Sequence, residues 1–227
     1  MKALALDTAT PAGSAALVQG SAVLAESNLP PGKTHSRTLV PEIQRLLTRL
    51  GLTVHDLDLV AVGLGPGSFT GLRIGLAVAK GLAWAAGKPL VGVPSLDALV
   101  WGLPPRPIQA CPMLDARRGR VYAALYRSSG AEGAWKRQTE FTAHTLRTLA
   151  ELVREETVFI GEAGKAWSRP LADELGPLFR AGPEDLVSPR AAQVARVAFD
   201  LFNQGVKTDP ARIMPLYIRP PYIRPPV

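Results

Sequence analysis

Gly63-Leu-Gly-Pro-Gly-Ser-Phe-Thr-Gly-Leu-Arg-Ile-Gly75 follows an apolar run from Leu57 and leads into an apolar stretch that continues to Ala86. Read as strand, glycine loop and helix, this order marks an α/β chain. Gly63, Gly65 and Gly67 permit backbone turns closed to other residues. Gly71 and Gly75 stand one turn apart inside the predicted helix, where each glycine costs about 1 kcal/mol against alanine. A chain that accepts this cost twice needs something close to the backbone there. A phosphate, the protein's own core and another protein are the three candidates.

Working outward, Lys2 to Asp7 reads as an apolar strand ending in a carboxylate, and Ala15–Val18 and Ala22–Glu26 complete a three-stranded antiparallel meander. Asn28 to Lys33 reads as a loop. A helix is expected from an N-cap at Ser36 to Leu50, with Leu39, Val40, Ile43, Leu46, Leu47 and Leu50 on one face and Pro41 either near its first turn or bending it. The helix after the glycine loop is predicted over 68–86, with Gly87 as its stop. Leu90–Val93 is a strand, Ser95 a candidate cap for a helix to Trp101, and Gly102–Pro107 a linker.

The second half opens the same way. Ile108 to Asp115 is an apolar strand running into an aspartate, and Arg120–Tyr126 pairs back across a turn at Gly119. Leu146–Glu155 reads as a helix and Val158–Ile160 as a strand with a tight turn at Gly161. A last helix is expected from a Ser188-Pro189 start to about Asn203. The echo between halves predicts an α/β fold with two lobes from a duplicated meander-plus-helices unit. The lobes are expected at 1–103 and 108–227, with the C-terminal helix able to pack back on the first. The tail repeats Tyr-Ile-Arg-Pro-Pro, from Tyr217 and again from Tyr222, and reads as extended and exposed.

Known phosphate motifs do not fit the glycine loop. It has no P-loop lysine, and Thr70 stands where a dinucleotide fingerprint needs its third glycine. Gly71, Gly75, Ala79 and Ala83 form a small-residue ridge, where a helix of the same chain or of a partner could pack. With Leu39, Ile43, Leu46 and Leu76 they make a candidate partner interface. Asp7, Thr8, Thr10 and Asp115 are candidates for a residual nucleotide cleft, with turn capping as the alternative. Arg117, Arg118 and Arg120 offer an anionic contact or a solvated turn. His35, His55 and His144 are not spaced as a metal pair.

With 47% hydrophobic and 20% charged residues the chain reads as globular. The one cysteine, Cys111, excludes an intramolecular disulfide and a multi-cysteine zinc site. The net charge of +7 allows nucleic acid as a contact, but the basic residues are spread along the chain. No apolar run approaches the roughly 18 residues of a membrane span, and the start is too short for a signal peptide, so a cytoplasmic protein without membrane contact is expected.

Leu6-Asp-Thr-Ala-Thr10, His35-Ser36, Gly65-Pro-Gly-Ser-Phe-Thr-Gly-Leu-Arg-Ile-Gly-Leu-Ala77, Ala79-Lys-Gly-Leu82, Ser95, Asp115-Ala-Arg117 and Val121-Tyr122 together resemble the TsaB (YeaZ) family. The resemblance runs from Lys2 to the Tyr-Ile-Arg near the end and implies the actin/Hsp70/sugar-kinase (ASKHA) fold. It implies a part in forming N6-threonylcarbamoyladenosine beside the anticodon of tRNA. The paralogous TsaD transferase carries a His-x-x-x-His metal pair; the matching positions look like Ser95 and Leu99 here. The resemblance therefore implies a non-catalytic subunit with no metal or cofactor of its own. Its implied partners are a TsaD-like transferase, a TsaE-like ATPase and, when alone, a second copy, with tRNA reached through the complex. A nucleotide-dependent phosphotransferase, a peptidase or a direct tRNA-binding module are the alternatives.

Overall fold

The computed structural model describes residues 1–31, 35–128, 135–206 and 208–219. Gly32 and Lys33 of the expected loop and residues 220–227 of the tail lie outside them. In chain order the elements are β1 (Lys2–Asp7), β2 (Ser14–Gln19), β3 (Ala22–Asn28), α1 (His35–Arg49), β4 (Leu59–Gly63), α2 (Phe69–Ala86), β5 (Leu90–Val93) and α3 (Ser95–Val100). Then come β6 (Gln109–Asp115), β7 (Val121–Ala123), β8 (Tyr126–Arg127), β9 (Lys136–Arg137), β10 (Thr142–His144) and α4 (Leu146–Ala150). The chain continues through β11 (Thr157–Ile160), α5 (Glu162–Ala166), α6 (Ser168–Leu175), β12 (Phe179–Ala181) and α7 (Ala191–Asn203).

Two sheets form, ordered β3-β2-β1-β4-β5 and β10-β7-β6-β11-β12, with the short β8–β9 hairpin paired to β6. In each, an antiparallel meander joins parallel strands: β1 is parallel to β4, and β6 to β11. The central strands β1 and β4 of the first sheet are buried on both faces and read as nearly continuous apolar runs, whereas the edge strand β3 is largely exposed and ends in Glu26, Ser27 and Asn28. The strand period of two sorts their side chains by size. Leu4, Leu6 and Leu17 face α1 and α2. Ala3, Ala5 and Ala16 face the other way, where α7 packs with its own Ala191, Ala195 and Ala198. The C-terminal helix thus lies on the first sheet. In the second sheet, Cys111 and Met113 pack under α4 and α6, while Ala110 and Leu114 share a core with Leu96 and Leu99 of α3. Helix α3 is the wedge between lobes.

Several boundaries differ from the sequence reading. Ser36 lies inside α1, and Pro41 is its seventh residue rather than part of its first turn. Val40 and Leu50 are 49% and 38% exposed, so the buried face of α1 is Leu39, Ile43, Leu46 and Leu47, with His35 buried at its start. Helix α4 ends five residues early. The N–H groups of Leu152 and Val153 turn back to Leu149 and Ala150, and Glu155 and Glu156 leave the helix to pair with Arg127 and Arg180. Helix α7 begins at Ala191, not at Ser188. Its first donors go to β2 and β3: the Ala191 N–H to Ser14 Oγ at 2.9 Å and the Ala192 N–H to Glu26 Oε1 at 3.0 Å. No helix among the described residues is long and apolar enough to cross a membrane.

Candidate functional site

The glycine loop leaves the end of β4 and enters α2 beside the end of β1. Ser68 caps α2 by accepting the Gly71 N–H at 3.2 Å, and Gly87 closes it in the left-handed conformation. Three residues after β1 are stitched to this loop. Asp7 accepts the Ala9 N–H at 2.8 Å and the Ser95 hydroxyl at 2.7 Å, and Ser95 Oγ in turn accepts the Gly65 N–H at 3.1 Å. Thr8 donates its hydroxyl to the Gly71 carbonyl at 2.8 Å, and the Ser68 N–H reaches the Ala9 carbonyl at 2.7 Å. One chain of polar contacts therefore fixes β1, the loop and α3 together.

This stitching decides what comes close to the glycines. A Cβ on Gly71 would stand 2.2 Å from the Thr8 carbonyl oxygen, and one on Gly75 2.2 Å from Thr8 Oγ1. The close neighbour is the protein's own β1 segment. The expected interface on Gly71, Gly75, Leu76, Ala79 and Ala83 is corrected accordingly: all five are buried within the chain, as are Leu39, Ile43 and Leu46. They form the α1–α2–sheet core and offer no free surface.

The expected nucleotide cleft changes too. Asp7, Thr8 and Thr10 are at most 1% exposed. Both Asp7 oxygens are bonded, Thr8 is held by Gly71, and the Thr10 hydroxyl donates to the Ala12 carbonyl at 2.7 Å. These three groups are internal and not open to a ligand. Burial raises the Asp7 carboxyl to about 6 against the pull of its two hydrogen bonds. Asp115 alone of the four is exposed, accepting the Arg117 N–H at 2.8 Å and pairing with the Arg117 guanidinium at 3.1 Å.

The open part of the cleft is a cavity of about 570 Å³ between the α2 N-terminus and the turn after β6. Ser68 and Phe69 line one side, and Asp115, Arg117 and Arg118 the other. Arg117 and Arg118 both adopt left-handed φ, 63° and 55°, ahead of Gly119. Arg120 turns away from this group and donates to the Ala143 carbonyl. Glu162 at the start of α5 is half-buried, which raises its carboxyl, while it accepts the Asp115 N–H at 3.4 Å. Residues 216–219 complete the wall, so the first three residues of the repeat, Tyr217 to Arg219, are seated here.

Sequence reasoning missed two features. Ser95 was expected to cap α3 but turns its hydroxyl inward to Asp7. A proline-serine pair after a strand signals a helix start, not where the hydroxyl points. The second feature is the outer side of α2. Trp84 is 84% exposed, Arg73, Ala77 and Gly81 are exposed on the same side, and a Cβ on Gly81 would meet nothing within 4 Å. In the sequence Arg73 and Trp84, with Thr70 and Lys80, already mark the polar or amphipathic edge of this helix; Ala77 and Gly81 complete the stripe at the spacing 73, 77, 81 and 84. Among the described residues no group of three or more His, Cys, Asp or Glu is arranged to hold a metal ion.

A family model described as TsaD, tRNA N6-adenosine threonylcarbamoyltransferase, matches residues 30–156. The Escherichia coli K12 protein named tRNA threonylcarbamoyladenosine biosynthesis protein TsaB is 34% identical over 226 residues, 96% of this chain and 94% of that protein. The Bacillus subtilis protein of the same name is 32% identical over 197 residues, 86% of each. Among solved structures, YeaZ from Pseudomonas aeruginosa superposes with a TM-score of 0.78 at 24% identity, over 95% of this chain and 99% of that one.

Proposed function

The chain belongs to the TsaB (YeaZ) family of tRNA threonylcarbamoyladenosine biosynthesis proteins, and from that membership we propose that it is the non-catalytic subunit that binds and activates a TsaD-type transferase. The observation that carries the proposal is the outer side of α2. A tryptophan 84% exposed beside Ala77 and Gly81 is an unpartnered apolar anchor on a flat helix surface. Such anchors mark protein interfaces, where tryptophan is over-represented among the residues that dominate binding. A helix of the transferase is the proposed occupant, and a second copy of this chain takes the place when the transferase is absent.

Two positions support the non-catalytic half of the proposal. Ser95 and Leu99 stand where the resemblance to TsaD puts paired imidazoles. Ser95 is fully buried and engaged with Asp7, and Leu99 is fully buried in the interlobe core. Neither reaches the cleft surface. A TsaE-type ATPase and the tRNA are proposed to join through the assembled complex, with Arg117 and Arg118 on the cleft rim as the basic surface turned toward them.

The test uses the full chain and its TsaD-type partner. Trp84→Ala and Gly81→Leu are each expected to weaken association at least tenfold by titration calorimetry and to reduce threonylcarbamoyladenosine formation in parallel, with the unfolding midpoint unchanged. Wild-type chain that fails to associate, or that forms the modified nucleoside with no transferase present, would overturn the proposal.

A further inference from the structure

After α7 the chain runs along the first lobe and then leaves it. Thr208 bridges Leu90 at the free edge of β5. Ile213 is buried in the first core, where Gly92 makes room for it: a Cβ on Gly92 would stand 2.7 Å from Ile213 Cδ1. The Leu216 N–H donates to the Leu64 carbonyl at 2.7 Å. These contacts root the segment on the first lobe. The next three residues reach both lobes. The Tyr217 ring sits 5.2 Å from that of Phe69 in the first turn of α2, and its hydroxyl accepts from Arg73 Nε at 2.9 Å. The Arg73 guanidinium also stands 3.9 Å from the centre of the Phe69 ring, so it braces both the hydroxyl of the tyrosine and the ring beneath it. Two residues on, Arg219 Nη1 donates to the Ala116 carbonyl at 3.2 Å, in the turn after β6 on the second lobe.

The two ends of this connection differ in kind. The turn that receives Arg219 is strained, because Arg117 and Arg118 hold left-handed φ of 63° and 55° despite their side chains. Within it the Ala116 N–H donates to the Arg120 carbonyl at 3.0 Å and the Arg120 N–H to the Arg117 carbonyl at 3.2 Å. Arg219 adds a restraint from outside the turn. The other end lies on the exposed side of α2 that carries Trp84. Arg73 and Trp84 are separated by about 17 Å of helix, the length of an ordinary α-helix. A helix laid over Trp84 and Gly81 therefore reaches Arg73 and the Tyr217 ring, which is 40% exposed.

We propose that residues 213–219 are a clasp that couples the docking face of α2 to the cleft. A transferase helix seated from Trp84 to Arg73 covers Tyr217 and holds it against Phe69, and through Arg219 this holds the strained turn of the second lobe closed. The coupling rests on the docking surface proposed above; the clasp does not, since all its contacts lie within one chain. Linkage makes the effect reciprocal: the factor by which the transferase favours the closed clasp is the factor by which the closed clasp favours the transferase.

The experiment combines titration calorimetry of the full chain against its TsaD-type transferase with hydrogen exchange at the Ala116 and Arg120 amides. Arg219→Met keeps an apolar stem and removes the donor, and Tyr217→Ala empties the seat on α2. In the chain alone each is expected to speed exchange at the two amides about fivefold or more, although the partners of Tyr217 lie on the other lobe. Wild-type exchange in Tyr217→Ala would overturn the clasp. Adding the transferase is expected to slow the two amides of wild type by a further factor of about five, and to leave those of Arg219→Met as they were. Arg219→Met is also expected to bind the transferase about fivefold more weakly, with its far-UV circular dichroism unchanged. Affinity equal to wild type, or protection of the turn that survives the loss of Arg219, would defeat the coupling. Trp84→Ala separates this inference from the one it rests on. If that variant binds as wild type does, the docking face is refuted; if it binds weakly while Arg219→Met binds normally, only the coupling is.

Discussion

Asp7 and Asp115 end corresponding strands, β1 and β6, and each accepts the backbone N–H two residues on, from Ala9 and from Arg117, at 2.8 Å. The local turn is the same. Everything around it differs. Asp7 is buried beneath the glycine loop, with Ser95 on its second oxygen and a carboxyl raised to about 6. Asp115 stands in the open cleft and pairs with an exposed arginine. The strands that follow differ in the same sense. β4 leads into the eighteen residues of α2, which cover the end of β1, whereas β11 leads into the five residues of α5. A long helix seals one aspartate as a structural pin, and a short one leaves its counterpart at the surface. Duplication sets the turn; the length of the following helix sets the chemistry.

The largest expected effect tests that seal. Gly75→Leu places a side chain where the Thr8 hydroxyl already stands, 2.2 Å from its Cβ. Thr8 cannot yield without giving up its bond to the Gly71 carbonyl. Overpacking of this kind is expected to cost about 3 kcal/mol or more in urea unfolding. Gly81→Leu on the outer side of the same helix meets nothing within 4 Å and removes a glycine from a helix interior. It is expected to leave stability within about 0.5 kcal/mol of wild type or to raise it slightly. Equal losses from both would mean that the two sides of α2 are not distinguished as described.

A smaller effect sharpens the view of Asp7. Burial raises its folded pKa to about 6, from 3.8 in the unfolded chain. Between those values the folded state holds the proton more firmly. Stability from this group is therefore full below about pH 4, declines as pH rises to about 6, and is flat above. The difference is worth about 2–3 kcal/mol. Asp7→Asn keeps an oxygen for the Ala9 N–H, carries no charge, and reverses the second bond, its amide donating to Ser95 Oγ in place of the Ser95 hydroxyl donating to the carboxylate. The variant should lose this slope and match or exceed wild-type stability at pH 7. The check is urea unfolding of both proteins at pH 4, 5, 6 and 7. Parallel slopes would show that Asp7 is not the buried acid described.

What the sequence made legible follows the range of each signal. The meander and the limits of α2 rest on neighbours within a few residues. Short apolar runs between turn residues and Gly87 at the stop of α2 each act locally, and they appear where expected. The start of α7 was not legible, because its first donors are satisfied by Ser14 and Glu26, more than 160 residues away. The small-residue ridge of α2 was visible as a need for close approach, but periodicity cannot say what approaches. The answer, Thr8, comes from the crossing of β1 beneath the loop. For the same reason the internal Asp7, Thr8 and Thr10 resembled cleft residues: a carboxylate and hydroxyls after a strand look alike whether they face solvent or a neighbouring helix.

The smallest expected effect lies at Asp115. Asn at this position still offers a side-chain oxygen to the Arg117 N–H, so the turn that carries Arg117 and Arg118 at left-handed φ keeps its hydrogen bond. Only the ion pair with Arg117 is lost, and its two side chains are 80% and 42% exposed. Water and salt already screen such a pair, so Asp115→Asn should change stability by less than about 0.5 kcal/mol. The residual difference should vanish in 1 M NaCl. If Asp115→Asn instead cost about 2 kcal/mol or more and kept that cost in 1 M NaCl, Asp115 would be held as firmly as Asp7. The contrast between a sealed and an open strand end would then have no chemical consequence.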